Sequence, residues 1–406
     1  MKFDAAYIPY GAYWSTPFIR WQGNFAHLHP MEFAADVARR ALQERGIPPT
    51  AFDALYLGMT VPAVHSFYGA PWLAGLIGAP NISGPTVSQA CATSARVIAD
   101  AAADVQTDRD RCILEITCDK TSNGPHVYYP NPLGSGGKGT SEDWVADNFD
   151  FDPYAHNAML QTAEHVAEED HISLEEQNAV TLLRYQQYQD ALEDNAAFHR
   201  RYMVTPVEVK DATGRKTVAI VTDDEGIYAT TEEGLARLRP VADGGTVTYG
   251  TQTHPADGNC GLVIASRDRA RALSRNAAIE IQILAFGQSR AKKGFMAQAT
   301  VPAARQALDA AGLSISDMKA IKTHNPFAVN DIYFARAFGV SLDSFNHYGS
   351  SLIFGHPQGP TGMRLVIELV EELVTLGGGY GLFVGCAAGD TGAAIIVHVD
   401  EAGGLG

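Results

Sequence analysis

The chain has 406 residues, 46% hydrophobic and 19% charged, which is enough to bury a sizeable core across two or three sub-domains. Its net charge is −16 with no block of like charge, so nucleic acid is not an expected partner. No apolar run approaches the roughly 20 residues of a spanning helix, and Met1-Lys2-Phe3-Asp4-Ala5 lacks the apolar core of a signal peptide, so no membrane association is expected.

Taken in chain order, residues 31 to 45 put Met31, Phe33, Ala34, Val37, Ala38 and Leu42 on one helical face, and Gly46 stops that helix. Ala54 to Val61 and Cys112 to Thr117 read as strands. Residues 123 to 150, with Pro125, Pro130, Pro132 and Gly134-Ser135-Gly136-Gly137-Lys138-Gly139, read as loop. Ser173-Leu174-Glu175-Glu176 is a capping box that opens a helix to about Asn195. Residues 200 to 245 are again loop-rich. Strands follow at Leu262 to Ser266, Ile279 to Phe286, Ala320 to Thr323, Tyr380 to Val384 and Ala393 to Val399, with an amphipathic helix at Met363 to Leu376. Alternating strands and helices argue for α/β layers. The divisions read as an N-terminal half at 1–122 completed by 246–274, an insertion at 123–245, and a C-terminal half at 275–406. Each half holds a strand, a tight turn with a reactive residue and a small-residue helix, which suggests a duplicated fold.

Five cysteines, at 91, 112, 118, 260 and 386, form no Cys-x-x-Cys pair. They read as reduced thiols of a cytoplasmic protein, with neither a disulfide framework nor a zinc site. Thirteen histidines place no His-x-x-x-His on a predicted helix, so no metal is expected. Cys91 lies where an apolar stretch runs into an alanine-rich helical one. A thiol at a helix N-terminus faces unpaired N–H groups, which favour thiolate. A small buried core residue is the plainer reading of the same cysteine. His356, between Gly355 and Pro357, is held by its neighbours rather than merely packed. Cys386 ends an apolar run and precedes Ala387-Ala388-Gly389, where small residues expose backbone N–H groups. His324 and Asn325 follow another short strand. If His324 faces a solvated cleft there, replacing it should hardly affect folding. Gly134 to Thr140 fails as a phosphate loop. Pro132 stands where the first glycine belongs, and Gly139 where the hydroxyl residue belongs.

Together these segments resemble the thiolase family over nearly the whole chain. Ser15-Thr16-Pro17-Phe18 resembles its early Arg-Thr-Pro-Phe. Met159 with Thr162-Ala163-Glu164-His165-Val166-Ala167 resembles Met-Gly-x-Thr-Ala-Glu-x-Val-Ala. Leu238-Arg239-Pro240 and Gly245-Thr246-Val247-Thr248 are similar to the run before Asn-Ala-Ser-Gly. Asn346-His347-Tyr348-Gly349 through Gly355-His356-Pro357-Gln358-Gly359-Pro360-Thr361-Gly362-Met363-Arg364 is similar to Asn-x-x-Gly-Gly…Gly-His-Pro-x-Gly-x-[Ser/Thr]-Gly-x-Arg. There are departures. Asn-Glu-Ala-Phe is here His324-Asn325-Pro326-Phe327, as in the branch resembling sterol-carrier-protein-type thiolases. Asn-Ala-Ser-Gly is here Thr251-Gln252-Thr253-His254, and the nucleophile's Cys-x-Ser-Gly is Cys91-Ala92-Thr93-Ser94.

The resemblance implies an α/β, five-layered α-β-α-β-α duplicated fold with an inserted loop domain over the active site. It implies thiolytic cleavage of a 3-oxoacyl-CoA, or the reverse Claisen condensation, with coenzyme A as co-substrate and no permanently bound cofactor. Cys91 is then the acyl-accepting nucleophile, His356 its base and Cys386 the second acid/base. The backbone N–H groups of Cys91 and Ala388 form one oxyanion site, and His324 with His356 the enolate site. Met159, Thr253 and Phe327 fall at the substrate. A homodimer or homotetramer is implied, and a small zinc-ribbon and OB-fold subunit is a partner of some relatives. Tyr128, Tyr129, Trp144, Phe149, Phe151 and Tyr154 either pack the insertion or line a pocket for an aromatic acyl group, as in benzoylsuccinyl-CoA thiolase. A non-catalytic thiolase-like subunit that binds acyl-CoA or a partner remains the alternative. A cysteine hydrolase using Cys91 and a histidine is weaker, because it explains neither Cys386 nor the full-length resemblance.

Overall fold

The computed structural model describes residues 1–401. Its strands are continuous apolar runs, the pattern of strands covered on both faces; Cys112 to Asp119, for example, are all buried. Eleven strands form one mixed sheet, and four more form two separate hairpins, one of them Val207–Lys210 with Thr217–Val221 inside the segment read as loop-rich. In the C-terminal half, Met318–His324 runs parallel to Gly379–Ala387, which pairs antiparallel with Thr391–Glu401, and that strand pairs antiparallel with Ile279–Arg290. In the N-terminal half, Ala54–Gly58 lies parallel to both Thr86–Val87 and Cys112–Lys120, and Ala256–Ala265 is antiparallel to the last. The short strand Tyr7–Pro9 joins the halves by pairing with both Ala256–Ala265 and Ile279–Arg290.

Five layers follow from what covers these strands. Helices Pro30–Glu44 and Gly69–Ile77 pack outside the N-terminal strands. Helices Thr300–Ala311 and Ala328–Phe338 cover the C-terminal strands. Between the two sets of strands lie Thr93–Thr107 and Gly359–Thr375, packed on each other in the largest apolar cluster.

The helix read as amphipathic is not a surface helix. Gly359–Thr375 is buried from Gly359 to Leu373. Most of its polar stripe is hydrogen-bonded inside the protein, while Glu368 Oε2 and Glu372 Oε2 lack a hydrogen-bond partner among the described residues. Arg364 forms a bidentate pair with Asp224 at 2.6 and 2.8 Å, Glu368 accepts from Tyr202 Oη at 2.6 Å, and Glu371 accepts from Tyr13 Oη at 2.6 Å. The capping box at Ser173 is formed reciprocally, at 2.9 and 3.2 Å. Its helix spans Leu174–Ala196, but Glu193, Asp194 and Asn195 have left helical geometry. The segment read as loop from 123 to 150 contains a hairpin, His126–Tyr129 against Thr140–Asp143. It is mostly exposed, so no apolar alternation marks it in the sequence. Among the described residues, no helix is long and apolar enough to cross a membrane.

Candidate active site

Three chain reversals meet at the sheet's carboxyl ends. After the strand Thr86–Val87, Ala90 takes a positive φ of 46°. Thr93 Oγ1 accepts the Gln89 N–H at 2.8 Å and donates to the Ala90 carbonyl at 2.7 Å, which fixes the loop carrying Cys91. The helix begins at Thr93, so Cys91 sits just before its first turn.

His356 lies between that helix and the strand Ala256–Ala265. Its backbone N–H donates to the His254 carbonyl at 2.9 Å, and its carbonyl accepts from Ala256 at 3.3 Å. Gly355 has φ +90°, and a Cβ there would meet His254 Nε2 at 2.7 Å, so only glycine fits. His356 Nε2 is 3.1 Å from Cys91 Sγ, and its Nδ1 is 2.6 Å from Thr361 Oγ1. With Nδ1–H donating to Thr361, Nε2 is the free base that faces the thiol.

His324 ends the strand Met318–His324, and its ring centre lies 4.2 Å from that of His356. Its Nδ1 is 2.8 Å from Ser351 Oγ, while its buried Nε2 has no partner among the described residues. Cys386, near the end of Gly379–Ala387, is buried and receives the Asn330 amide at 3.2 Å. The condition under which replacing His324 would hardly affect folding, a solvated cleft, is not met: the residue is only 1% exposed.

Burial sets the protonation states. It pushes the Cys91 thiol up to about 11, against the Ala388 and Cys91 backbone N–H groups that face the sulfur. It also pushes the His356 imidazole down to about 3. Burial, then the neighbouring His356 ring, holds His324 far below the usual histidine range. Cys386 is raised by burial and then by nearby Cys91, with the Asn330 amide opposing. The pair therefore rests as thiol and neutral imidazole. This corrects the expectation of a resting thiolate: no cation stands close enough to outweigh desolvation.

A cavity of about 350 Å³ opens on this pair. Cys91, His356, Ala388, Met159, Thr253 and Phe327 line it. Thr253 is tied down through Pro326 and Ser351, its N–H to the first carbonyl at 2.7 Å and its hydroxyl to the second at 2.5 Å. Cys386 and His324 do not line the cavity. A second space of about 560 Å³ adjoins it, sharing Tyr249, Gln252, His254 and Pro255 and walled by Tyr228, Leu235 and Leu238. Cys91 Sγ and ring nitrogens of His324 and His356 lie within 4.8 Å of one another, a spacing that also suits a cation. Thr361, Ser351, Asn330 and His254 escaped the sequence reading as functional residues. Thr361 carried a signal there as the hydroxyl position of the segment after His356, and His254 as the last residue of Thr251-Gln252-Thr253-His254.

Comparison with known proteins supplies the family. Residues 12–268 match the thiolase N-terminal domain family and residues 278–399 the thiolase C-terminal domain family. The chain belongs to the thiolase family. Human mitochondrial 3-ketoacyl-CoA thiolase is 27% identical over 94% of this chain and 96% of its own. The beta-ketoadipyl-CoA thiolase of Pseudomonas knackmussii is 28% identical over 94% and 96%. The crystal structure of Bacillus anthracis acetyl-CoA acetyltransferase superimposes with a TM-score of 0.89 at 25% identity, covering 98% of this chain and 99% of that one. The protein is accordingly an acyltransferase of the thiolase type, and its layered α/β architecture is the thiolase fold.

Proposed function

We propose that the protein cleaves 3-oxoacyl-CoA with coenzyme A, or runs the reverse condensation, through an acyl group on Cys91. The observation that carries this reading is the Cys91 Sγ to His356 Nε2 contact of 3.1 Å at the base of an apolar cavity. His356 Nε2 takes the Cys91 proton as the sulfur attacks the 3-oxo carbon. The N–H groups of Cys91 and Ala388, which face the Cys91 sulfur, receive the charge that develops on that oxygen. The bond between C2 and C3 then breaks, and its electrons leave as the enolate of an acyl-CoA. His324 donates to that enolate from Nε2, the tautomer selected when the Ser351 hydroxyl donates to Nδ1 at 2.8 Å instead of to Asn325 Oδ1 at 3.2 Å. Cys386, held protonated by burial, gives its proton to C2. The resulting thiolate deprotonates coenzyme A, whose sulfur displaces Cys91 from the acyl group. Met159, Thr253 and Phe327 hold the substrate against the pair.

The adjoining space along Tyr228, Leu235 and Tyr249 is where coenzyme A lies in this reading. A crystal structure of the human mitochondrial relative contains CoA, which supports a coenzyme A site in this fold. The acyl group is bulky or aromatic, benzoylsuccinyl-CoA being one such substrate. Phe149 lines the Cys91 cavity, and Tyr129, Trp144, Phe151 and Tyr154 line the one beside it, which supports this; Tyr128 lines neither. The family resemblance supports a cytoplasmic homo-oligomer and admits a zinc-ribbon and OB-fold partner.

Intact-protein mass spectrometry after incubation with acyl-CoA tests the roles. Cys386→Ala should still acquire the acyl group, slowly, while carbon–carbon cleavage nearly stops. Cys91→Ala should acquire none, and an adduct persisting there would remove Cys91 as nucleophile. A non-catalytic subunit would form no adduct in any variant.

A further inference from the structure

The space around Cys91 extends past the thiol. Phe149, Met159, Gln358 and Ala388 also line another cavity, of about 640 Å³. Trp144, Phe151 and Tyr154 of the inserted segment form its aromatic wall, and Arg290 lies at its edge. Arg290 Nε donates to the Gly389 carbonyl at 3.1 Å. That anchors the side chain one residue beyond Ala388, whose N–H faces Cys91 Sγ. The guanidinium carbon is 4.7 Å from the centre of the Tyr154 ring, and the Lys293 ammonium is 3.9 Å from the same centre.

Two cations thus converge on one ring in a chain of net charge −16, and neither has a carboxylate at ion-pair distance among the described residues. Lys292 beside them is already paired with Glu169. Three carboxylates lie nearby: Glu142 and Asp152 line the same cavity, and Asp390 feels the Arg290 charge, but each is held by hydrogen bonds short of an ion pair with either cation. Asp152 accepts the N–H groups of Tyr154 and Ala155 at 2.7 and 2.9 Å, Glu142 accepts from Tyr129 Oη and Asn148 Nδ2, both at 2.9 Å, and Asp390 accepts from Gly294 at 2.8 Å. Like charges held together beside a partly apolar cavity are costly until an anion joins them. The cavity shares Phe149, Met159, Gln358 and Ala388 with the one at Cys91, which puts an anion on a substrate bound there within range of these cations.

We propose that Arg290 is a specificity-determining residue that binds a carboxylate on the acyl group delivered to Cys91. The favoured substrates are then 3-oxoacyl-CoAs whose transferred acyl group ends in an anion, with the aromatic wall holding its apolar part; this replaces benzoylsuccinyl-CoA, whose cleavage would put an uncharged benzoyl group on Cys91 and release the carboxylate with coenzyme A. This rests on the thiolase reading of Cys91. Coenzyme A's own phosphates are the competing anion, and two donors of equal length separate the cases. Succinyl-CoA and butyryl-CoA both deliver four carbons and carry the same phosphates; one acyl group ends in carboxylate and the other in methyl.

The test is the rate at which each acylates Cys91, read by intact mass. The step forms the Cys91 sulfur–carbon bond, breaks the coenzyme A sulfur–carbon bond and passes the Cys91 proton to the released coenzyme A. In the wild type, succinyl-CoA should be faster by about 10- to 100-fold, the range a charge-assisted hydrogen bond is worth. Arg290→Ala should remove that preference and leave the butyryl rate within about twofold. Arg290→Glu should reverse the preference, and Arg290→Lys should keep part of it. Equal wild-type rates, or a preference that survives Arg290→Ala, would overturn the proposal. So would equal slowing of both donors in Arg290→Ala, which would assign the residue to coenzyme A. No adduct from either donor, on a chain whose Cys91 still reacts with iodoacetamide, would instead bring down the acyl-enzyme reading, and this proposal with it.

Discussion

Alkylation of Cys91 should accelerate with pH across the whole neutral range. An ordinary thiol near 9 is about 1 part in 100 thiolate at pH 7. Burial moves Cys91 to about 11, which makes the fraction about 1 in 10,000. That hundredfold loss of thiolate amounts to about 3 kcal/mol against the anion. His356 does not relieve the deficit at rest, because its own burial holds it neutral to about 3. The rate of reaction with iodoacetamide, followed by peptide mass spectrometry, should therefore rise about tenfold per unit from pH 7 to 10. Cys91 should still be labelled before the other four cysteines, because it alone is partly exposed. The cause is access, not charge, and bound acyl-CoA should block it. A fast rate that is flat from pH 6 to 9 would show a thiolate–imidazolium pair and refute the argument from burial.

His324→Ala should lower carbon–carbon cleavage by about 100-fold or more, the cost of losing one preorganised oxyanion donor. Acylation of Cys91 from a simple acyl-CoA, which forms no enolate, should change only a few-fold. His324→Asn should recover part of the cleavage, and near-normal cleavage in the alanine variant would remove His324 from the site. Because His324 is buried, the melting temperature of the alanine variant should fall as well, so the split between the two reactions decides the matter. Acid stability offers a separate check at His199, whose ring nitrogens are buried without partners among the described residues and whose imidazole burial pushes down to about 4. The unfolded chain binds that proton near 6.5 and the folded chain does not, so stability is complete above pH 6.5 and is lost as pH falls toward 4. Relative to His199→Phe, the wild type should lose about 3 kcal/mol between pH 7 and pH 4 in denaturant titrations. Parallel pH curves for the two proteins would contradict this.

The sequence was most legible where one physical constraint dominated. Apolar runs such as Cys112 to Thr117 announced strands because both faces are covered. Ser173 and Glu176 announced a helix start because a capping box is local in sequence. Glycine and proline around His356 marked a held imidazole, and the structure puts that imidazole on Cys91. Legibility failed where polar groups are buried. The strand Ala256–Ala265 was read only from Leu262, because Asp257, Gly258 and Asn259 look like loop residues. Yet Asp257 lies inside the sheet, where its carboxylate accepts the Ser122 N–H at 2.9 Å. Asn330 and Ser351 gave no sign of reaching Cys386 and His324, because those contacts form only when distant segments pack.

The charges inside the Gly359–Thr375 helix are the clearest case of a pattern that misleads until the fold is known. Four ionic side chains at helical spacing read as a solvated face. Burying them is costly unless each is paired, and a buried pair is weak evidence for stability in itself. What the arrangement does is join parts of the chain that are far apart in sequence. Arg364 reaches Asp224 of the inserted segment, and its guanidinium carbon lies 3.8 Å from the centre of the Phe354 ring, two residues before His356. The first turn of the same helix carries Thr361, which orients the His356 ring. Asp119 closes the turn from the other side, accepting the Gly359 N–H at 2.9 Å and the Thr60 and Val61 N–H groups at 2.8 Å. The inserted segment, the central helix and the strand Cys112–Lys120 therefore converge on one short loop, Gly355 to Gly359. In the proposed reaction, a base taking a proton from a sulfur 3.1 Å away tolerates little displacement, and this buried network is what denies the His356 ring room to move.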